Sequence, residues 1–170
     1  MLSFIVPYSG RGPLNPPKPM PGDEVLIVDS GLSIWQARLL GALRARNEWL
    51  VFCDADAYYP SDYALKIREA IASGRYPLGF LARRVGGLAP LNPKGNTEAR
   101  LVVRKDVFFE RVKLFRPAGP KSDFGGLFKD LPVAEEVVMY HGLTHGERAV
   151  VFAASPMALG ATLLAASLSV

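Results

Sequence analysis

Residues Trp49-Leu50-Val51-Phe52-Cys53-Asp54-Ala55-Asp56 place an apolar, β-rich run directly before two carboxylates. A buried strand ending in Asp-x-Asp presents two anionic side chains at the C-terminal edge of a sheet. That edge is where open α/β sheets bind their ligands. Two hard oxygen donors there suit Mg²⁺ or Mn²⁺, ions that usually arrive shared with a ligand's phosphates. A strand followed by an acidic turn accounts for the tripeptide equally well, because Asp is common where strands stop. The surrounding sequence has to separate the two readings.

Further strands and helices alternate around this run. Leu2-Ser3-Phe4-Ile5-Val6 reads as a first strand stopped by Pro7. Residues 9–22 hold five prolines and three glycines, which excludes a regular helix and predicts an extended, polyproline-like loop. Glu24 to Asp29 is a second strand, nearly continuous in apolar residues and therefore expected to be covered on both faces. Ser33 can cap a helix with an apolar face of Ile34, Ala37, Leu40 and Leu43, carrying Arg38 and Arg44. Pro60-Ser61-Asp62 opens a second helix that runs to about Ser73 and stops at Gly74. Strands follow at 78–82 and 99–104, a short helix starts at 106–110, and a late strand at 137–140 leads into His141 and His145. Gly/Pro-rich loops occupy 85–97 and 116–126. Strand–helix alternation argues for a single compact α/β domain with a mostly parallel sheet and right-handed crossovers. The first three strands end at Pro7-Tyr8, Asp29 and Asp54/Asp56, and strand ends that converge in this way form a cleft.

The bulk numbers narrow the function. At 170 residues, 49% apolar and 21% charged, the chain can bury a real core. Its net charge of +4 is spread rather than gathered into a nucleic-acid tail, so it fits phosphorylated small molecules or an anionic membrane surface as well as it fits DNA, and no nucleic-acid partner is expected. The single cysteine, Cys53, excludes an internal disulfide and a Cys-rich zinc site, and reads as inert packing. No charged region precedes the first apolar run, so a cytoplasmic location is expected. Residues 149–170 carry no charge and are long enough to span a bilayer, but Pro156 and a composition rich in Ala, Ser and Gly make insertion marginal. A helix packed on the 1–148 domain, an interfacial segment at the inner face of the membrane, and a tail anchor all stand as readings of 149–170.

These residues resemble family-two glycosyltransferases, nucleotide-diphospho-sugar transferases of the GT-A fold. Pro7-Tyr8 after the first strand, Val28-Asp29-Ser30-Gly31, the helix with Ala37-Arg38 through Gly41-Ala42, and Trp49 to Asp56 followed by Tyr59-Pro60 match that family's pattern. The similarity covers roughly the first 130 residues. The chain departs from the pattern in three places. A Pro-rich loop replaces the first helix, Asp29-Ser30 stands for an Asp-Asp pair, and Ser122-Asp123 stands for the usual Glu-Asp.

The resemblance implies inverting transfer of a sugar from a UDP- or GDP-type donor to an acceptor hydroxyl, dependent on Mn²⁺ or Mg²⁺. Asp54 and Asp56 would hold the cation on the donor diphosphate, and a late histidine, His141 or His145, would complete the site. Pro7, Tyr8, Asp29, Arg38 and Ala55 would line the nucleotide site. Asp123 would serve as the catalytic base, with Glu135 or Glu136 as substitutes. The acceptor half is short, so it is either trimmed or borrowed, for example from a second copy in a homodimer. A catalytically degenerate domain that binds a nucleotide sugar or a protein is the alternative. A haloacid-dehalogenase-type phosphatase fits poorly, because Ala57-Tyr58 follows the acids mid-chain. A sugar nucleotidyltransferase would need more of a glycine-rich basic loop than Gly10-Arg11-Gly12. The chain has no P-loop and no Gly-x-Gly-x-x-Gly, which disfavours ATP hydrolysis and dinucleotide cofactors.

Overall fold

The computed structural model describes residues 1–29, 31–86, 98–120 and 122–141. His145, Ser30, Lys121, the loop at 87–97 and the apolar segment 149–170 lie outside the described residues. The element order is β1 (Leu2–Tyr8), β2 (Glu24–Asp29), α1 (Ile34–Arg44), β3 (Trp49–Phe52), α2 (Tyr63–Ala72), β4 (Gly79–Gly86), β5 (Leu101–Arg104), α3 (Lys105–Val112) and β6 (Val133–His141). Two single 3₁₀ turns, Glu98–Arg100 and Gly125–Phe128, complete it.

The six strands form one mixed sheet in the order β2-β1-β3-β5-β4-β6. β1 pairs in parallel with β2 and β3, and β4 in parallel with β6. β5 lies antiparallel between β3 and β4, so five strands share one direction and one is reversed. The sheet is mostly parallel, as its strand–helix alternation implies, and β5 is the exception: it returns directly beside β4 instead of crossing over a helix.

Two apolar layers cover the sheet. On one face Leu2, Phe4, Val6, Val51, Phe80, Val102 and Met139 pack with Tyr63, Ala64 and Ile67 of α2. On the other, Ile5, Leu50, Phe52, Leu101 and Val103 pack with Ala42, Phe108, Phe124 and Phe128. The alternation of Phe4 and Ile5, and of Val102 and Val103, between the two layers is the period-two pattern of a sheet buried on both sides. Aromatic rings dominate the second layer. Phe108 lies 5.0 Å from Phe52, 5.3 Å from Phe124 and 5.9 Å from Phe128 between centroids.

Three local expectations change. β1 runs through Pro7 to Tyr8 instead of stopping at Val6. β3 pairs with β1 only as far as Ile5, so Pro7 sits where that side of β1 has no ladder left to interrupt. β2 is an edge strand and is not covered on both faces, with Ile27 46% exposed. In α1 the buried stripe is Ala37, Arg38, Gly41 and Ala42, while Ile34 and Leu43 face solvent. Small residues won over large ones there because the helix packs close against β1. A Cβ on Gly41 would run into the Ile5 side chain and lie 3.3 Å from Val28 Cγ2. α2 follows its prediction, with Asp62 at its N-cap and Gly74 beyond its end at a φ of +71°.

Gly41→Ala is expected to destabilise the domain by about 1–3 kcal/mol, since the core must shift to admit the methyl group. Urea unfolding measures it. Cys53 is fully buried, and burial pushes its thiol well above the ordinary range. The native protein should therefore leave a disulfide-exchange reagent such as DTNB unreacted at mildly alkaline pH, and should react once per chain when unfolded.

Candidate functional site

The parallel strands end on one side of the sheet, and the predicted site residues gather there. β1 closes with Pro7-Tyr8, β2 with Asp29 in register with Tyr8, β3 just before Asp54, and β6 with His141. Past Ile5 and Phe52, β1 and β3 no longer pair, and the gap between them opens into a cavity of about 480 Å³. Tyr8, Arg11, Arg38, Asp54, Asp56 and Asp123 line it, with Pro7 and Ala55. A second, smaller hollow of about 310 Å³ continues from Tyr8 along Val28, Leu32 and Ala37.

Asp54, Asp56 and His141 form a compact donor set. One ligand atom from each falls within 4.8 Å of the others. His141 Nε2 lies 3.5 Å from Asp54 Oδ2 and 3.3 Å from Asp56 Oδ1. The two histidine candidates thus separate: His141 joins the carboxylates, and His145 lies outside the described residues. Two carboxylates with one imidazole are a donor set that suits Mn²⁺, and Mg²⁺ less well. The fit carries one condition. Arg84 Nη2 donates to His141 Nδ1 at 2.7 Å, which puts the proton of the neutral ring on Nε2, facing the acids. A cation held at Nε2 would take that proton's place, which would leave the ring's proton on Nδ1 and require Arg84 to turn away.

The loop that carries the acids is held from three directions. Tyr58 and Tyr140 exchange backbone hydrogen bonds of 2.7 and 2.9 Å, an isolated antiparallel bridge that joins the segment after Asp56 to β6. That bridge delivers His141, one residue on, to the acids. The Tyr59 hydroxyl accepts from the Asp54 N–H at 2.8 Å and donates to the Asp54 carbonyl at 3.1 Å. Burial raises the Tyr59 phenol well above its ordinary range, so it stays a donor. Asn15 N–H donates to the Ala55 carbonyl at 2.8 Å, and Tyr8 donates to the Gly12 carbonyl at 3.1 Å, which folds the Pro-rich loop over the cavity.

Arg38 is 4% exposed and donates from Nη2 to Asp54 Oδ1 at 2.8 Å. A helix arginine normally reaches solvent, and this one is turned inward to fix Asp54. The other Asp54 oxygen faces His141. Asp123 also lines the cavity, and its Oδ1 accepts from the Gly125 N–H at 2.9 Å. Its neighbour Phe124 is buried in the aromatic layer against Phe52 and anchors the turn. The proposed substitutes are engaged elsewhere. Glu136 pairs with Arg75 and Glu135 with Arg83, and neither lines the cavity.

Sequence reasoning passed over Arg84, which reaches His141 through space from a different strand. It also gave Arg11 no part in the cleft. Arg11 does have a local signal, since it lies between Gly10 and Gly12 at φ +75° and +83°, a backbone that few other residues adopt.

Removing Arg38 leaves Asp54 without its partner in a largely enclosed place. Arg38→Ala is expected to cost about 3–5 kcal/mol in chemical denaturation. No protein-family model matches this chain, and no curated protein sequence does.

Proposed function

We propose that this chain is a GT-A-like glycosyltransferase domain that moves a sugar from a nucleotide-diphosphate donor, of UDP or GDP type, to an acceptor hydroxyl with inversion. The observation that carries the reading is the meeting of Asp54, Asp56 and His141 at the C-terminal sheet edge, beside a cavity that also holds Tyr8, Arg38 and Asp123. A mixed α/β sheet with helices on both faces and strand ends converging on one cleft supports the fold assignment.

Within this reading each side chain has a task. Tyr8 and the hollow along Val28 and Ala37 offer an apolar surface for the nucleoside base. Arg38 holds Asp54 in one orientation, so the carboxylate does not have to be ordered when ligand enters. Asp54, Asp56 and His141 would hold a divalent cation, which would supply positive charge to the departing diphosphate. Asp123, which lines the same cavity, is the group that would accept the proton of the acceptor hydroxyl. Among the described residues, no helix is long and apolar enough to cross a membrane.

Thermal stability should be measured against UDP-, GDP-, CDP- and dTDP-sugars with and without Mn²⁺. The expected result is a metal-dependent shift with one nucleotide that disappears in Asp56→Ala. Asp123→Asn should keep that shift and lower turnover by about 100-fold or more. Folded protein that responds to no nucleotide would leave Asp54-Ala55-Asp56 as an acidic turn. A shift without turnover from any donor would favour a binding domain.

A further inference from the structure

Two half-buried arginines among the described residues, one of them against His141, have no acid to answer them. Among the described residues, every other arginine that is not solvent-exposed pairs with a carboxylate: Arg38 with Asp54, Arg68 with Asp23, Arg104 with Asp106 and Arg111 with Asp130. Arg84 and Arg100 do not. The Nε atom of each is buried without a hydrogen-bond partner. Arg84 spends one N–H on the neutral ring of His141, and Arg100 makes only a 3.4 Å contact to the Ala82 carbonyl.

Strand register puts the two on one face. Leu81 pairs with Leu101, so Ala82 stands opposite Arg100 and Arg84 follows two residues later on the same side. Phe80, Ala82, Val102, Val137 and Met139 form the apolar part of that face, and Arg84 reaches His141 from it. Burial, and after it the charge of Arg84, holds Arg100 below its ordinary range. The sequence between them, 85–99, contributes Lys94 and one acid, Glu98, whose side chain lies outside the described residues.

Half-buried cations without partners are costly to keep, and an anionic ligand offsets that cost. Arg84 and Arg100 thus bring two positive charges that no carboxylate among the described residues meets, and a bound divalent cation would widen the excess. A ligand carrying more than one negative charge balances it. Guanidinium forks match the oxygens of phosphate in bidentate fashion.

We propose that Arg84 and Arg100 form a phosphate-binding site on the side of the His141 ring away from Asp54 and Asp56. The phosphate is either that of the nucleotide donor or one carried by the acceptor. Only this choice of source rests on the sugar-transfer reading.

Calorimetric titration of the full chain with inorganic phosphate and with pyrophosphate, in metal-free buffer, tests the site. Wild type should bind, and Arg84→Gln and Arg100→Gln should each weaken binding about tenfold or more. Asp56→Asn should retain phosphate and lose Mn²⁺. If Asp56→Asn leaves Mn²⁺ affinity unchanged, the metal assignment fails while the phosphate site stands. Adding Mn²⁺ and saturating UDP or GDP assigns the source. Displacement of phosphate makes this the donor's site, and simultaneous binding makes it the acceptor's. Wild type that binds neither anion, or binds them no better than both variants shown to be folded by circular dichroism, overturns the proposal. Should Arg84→Gln not fold, Arg100→Gln alone carries the same comparison.

Discussion

An enclosed guanidinium has to be met by an anion, and at Arg38 that anion is Asp54. The pair joins the middle of α1 to the end of β3, so it ties the helix that packs on β1 to the loop that carries the acids. Desolvating both groups is costly, and the compensation comes from a 2.8 Å charge-assisted hydrogen bond in an environment that screens poorly. The same bond fixes which Asp54 oxygen remains free. Everything at the cleft is referred to that oxygen: His141 stands 3.5 Å from it, and Asp56 completes the group.

The rest of the site is assembled by backbone rather than by side chains. A single β-bridge between Tyr58 and Tyr140 brings together residues 82 positions apart in sequence number. Its two peptide hydrogen bonds, together with the β4–β6 ladder that runs to His141, hold the imidazole beside the acids. Tyr59 reinforces the arrangement from below by satisfying both backbone groups of Asp54. Such support is what a ligand site needs if its groups are to be in place before the ligand arrives.

Much of the framework was legible in the chain because it follows from local pattern. The apolar runs of β1, β3 and β5 and the cap and stop of α2 are written in adjacent residues. The acidic pair that closes β3 is as well. What was not legible depends on neighbours distant in sequence. The stripe of α1 was misjudged because Gly41 packs on Ile5, and closeness to β1 outweighed the size of Ile34 and Leu43. The exposure of β2 follows from its edge position, and the reversal of β5 from pairing on both sides. Within the site, Asp54, Asp56 and Asp123 could be named from sequence, whereas the choice of His141 needed the Tyr58 bridge. Arg38 was a candidate for a reason different from the one the structure gives, since it grips an acid of the site.

The Pro-rich loop has a thermodynamic consequence for whatever enters the cleft. A chain segment of ordinary composition loses about 1–2 kcal/mol per residue when its backbone is fixed. Residues 9–22 carry five prolines whose φ angles are already restricted, and the loop is pinned by Tyr8 to Gly12 and by Asn15 to Ala55. Its freedom is small before any ligand binds. Occupancy of the cavity therefore asks little further ordering of this wall. Affinity is then set chiefly by charge and contact, with a small entropic penalty from closing a lid.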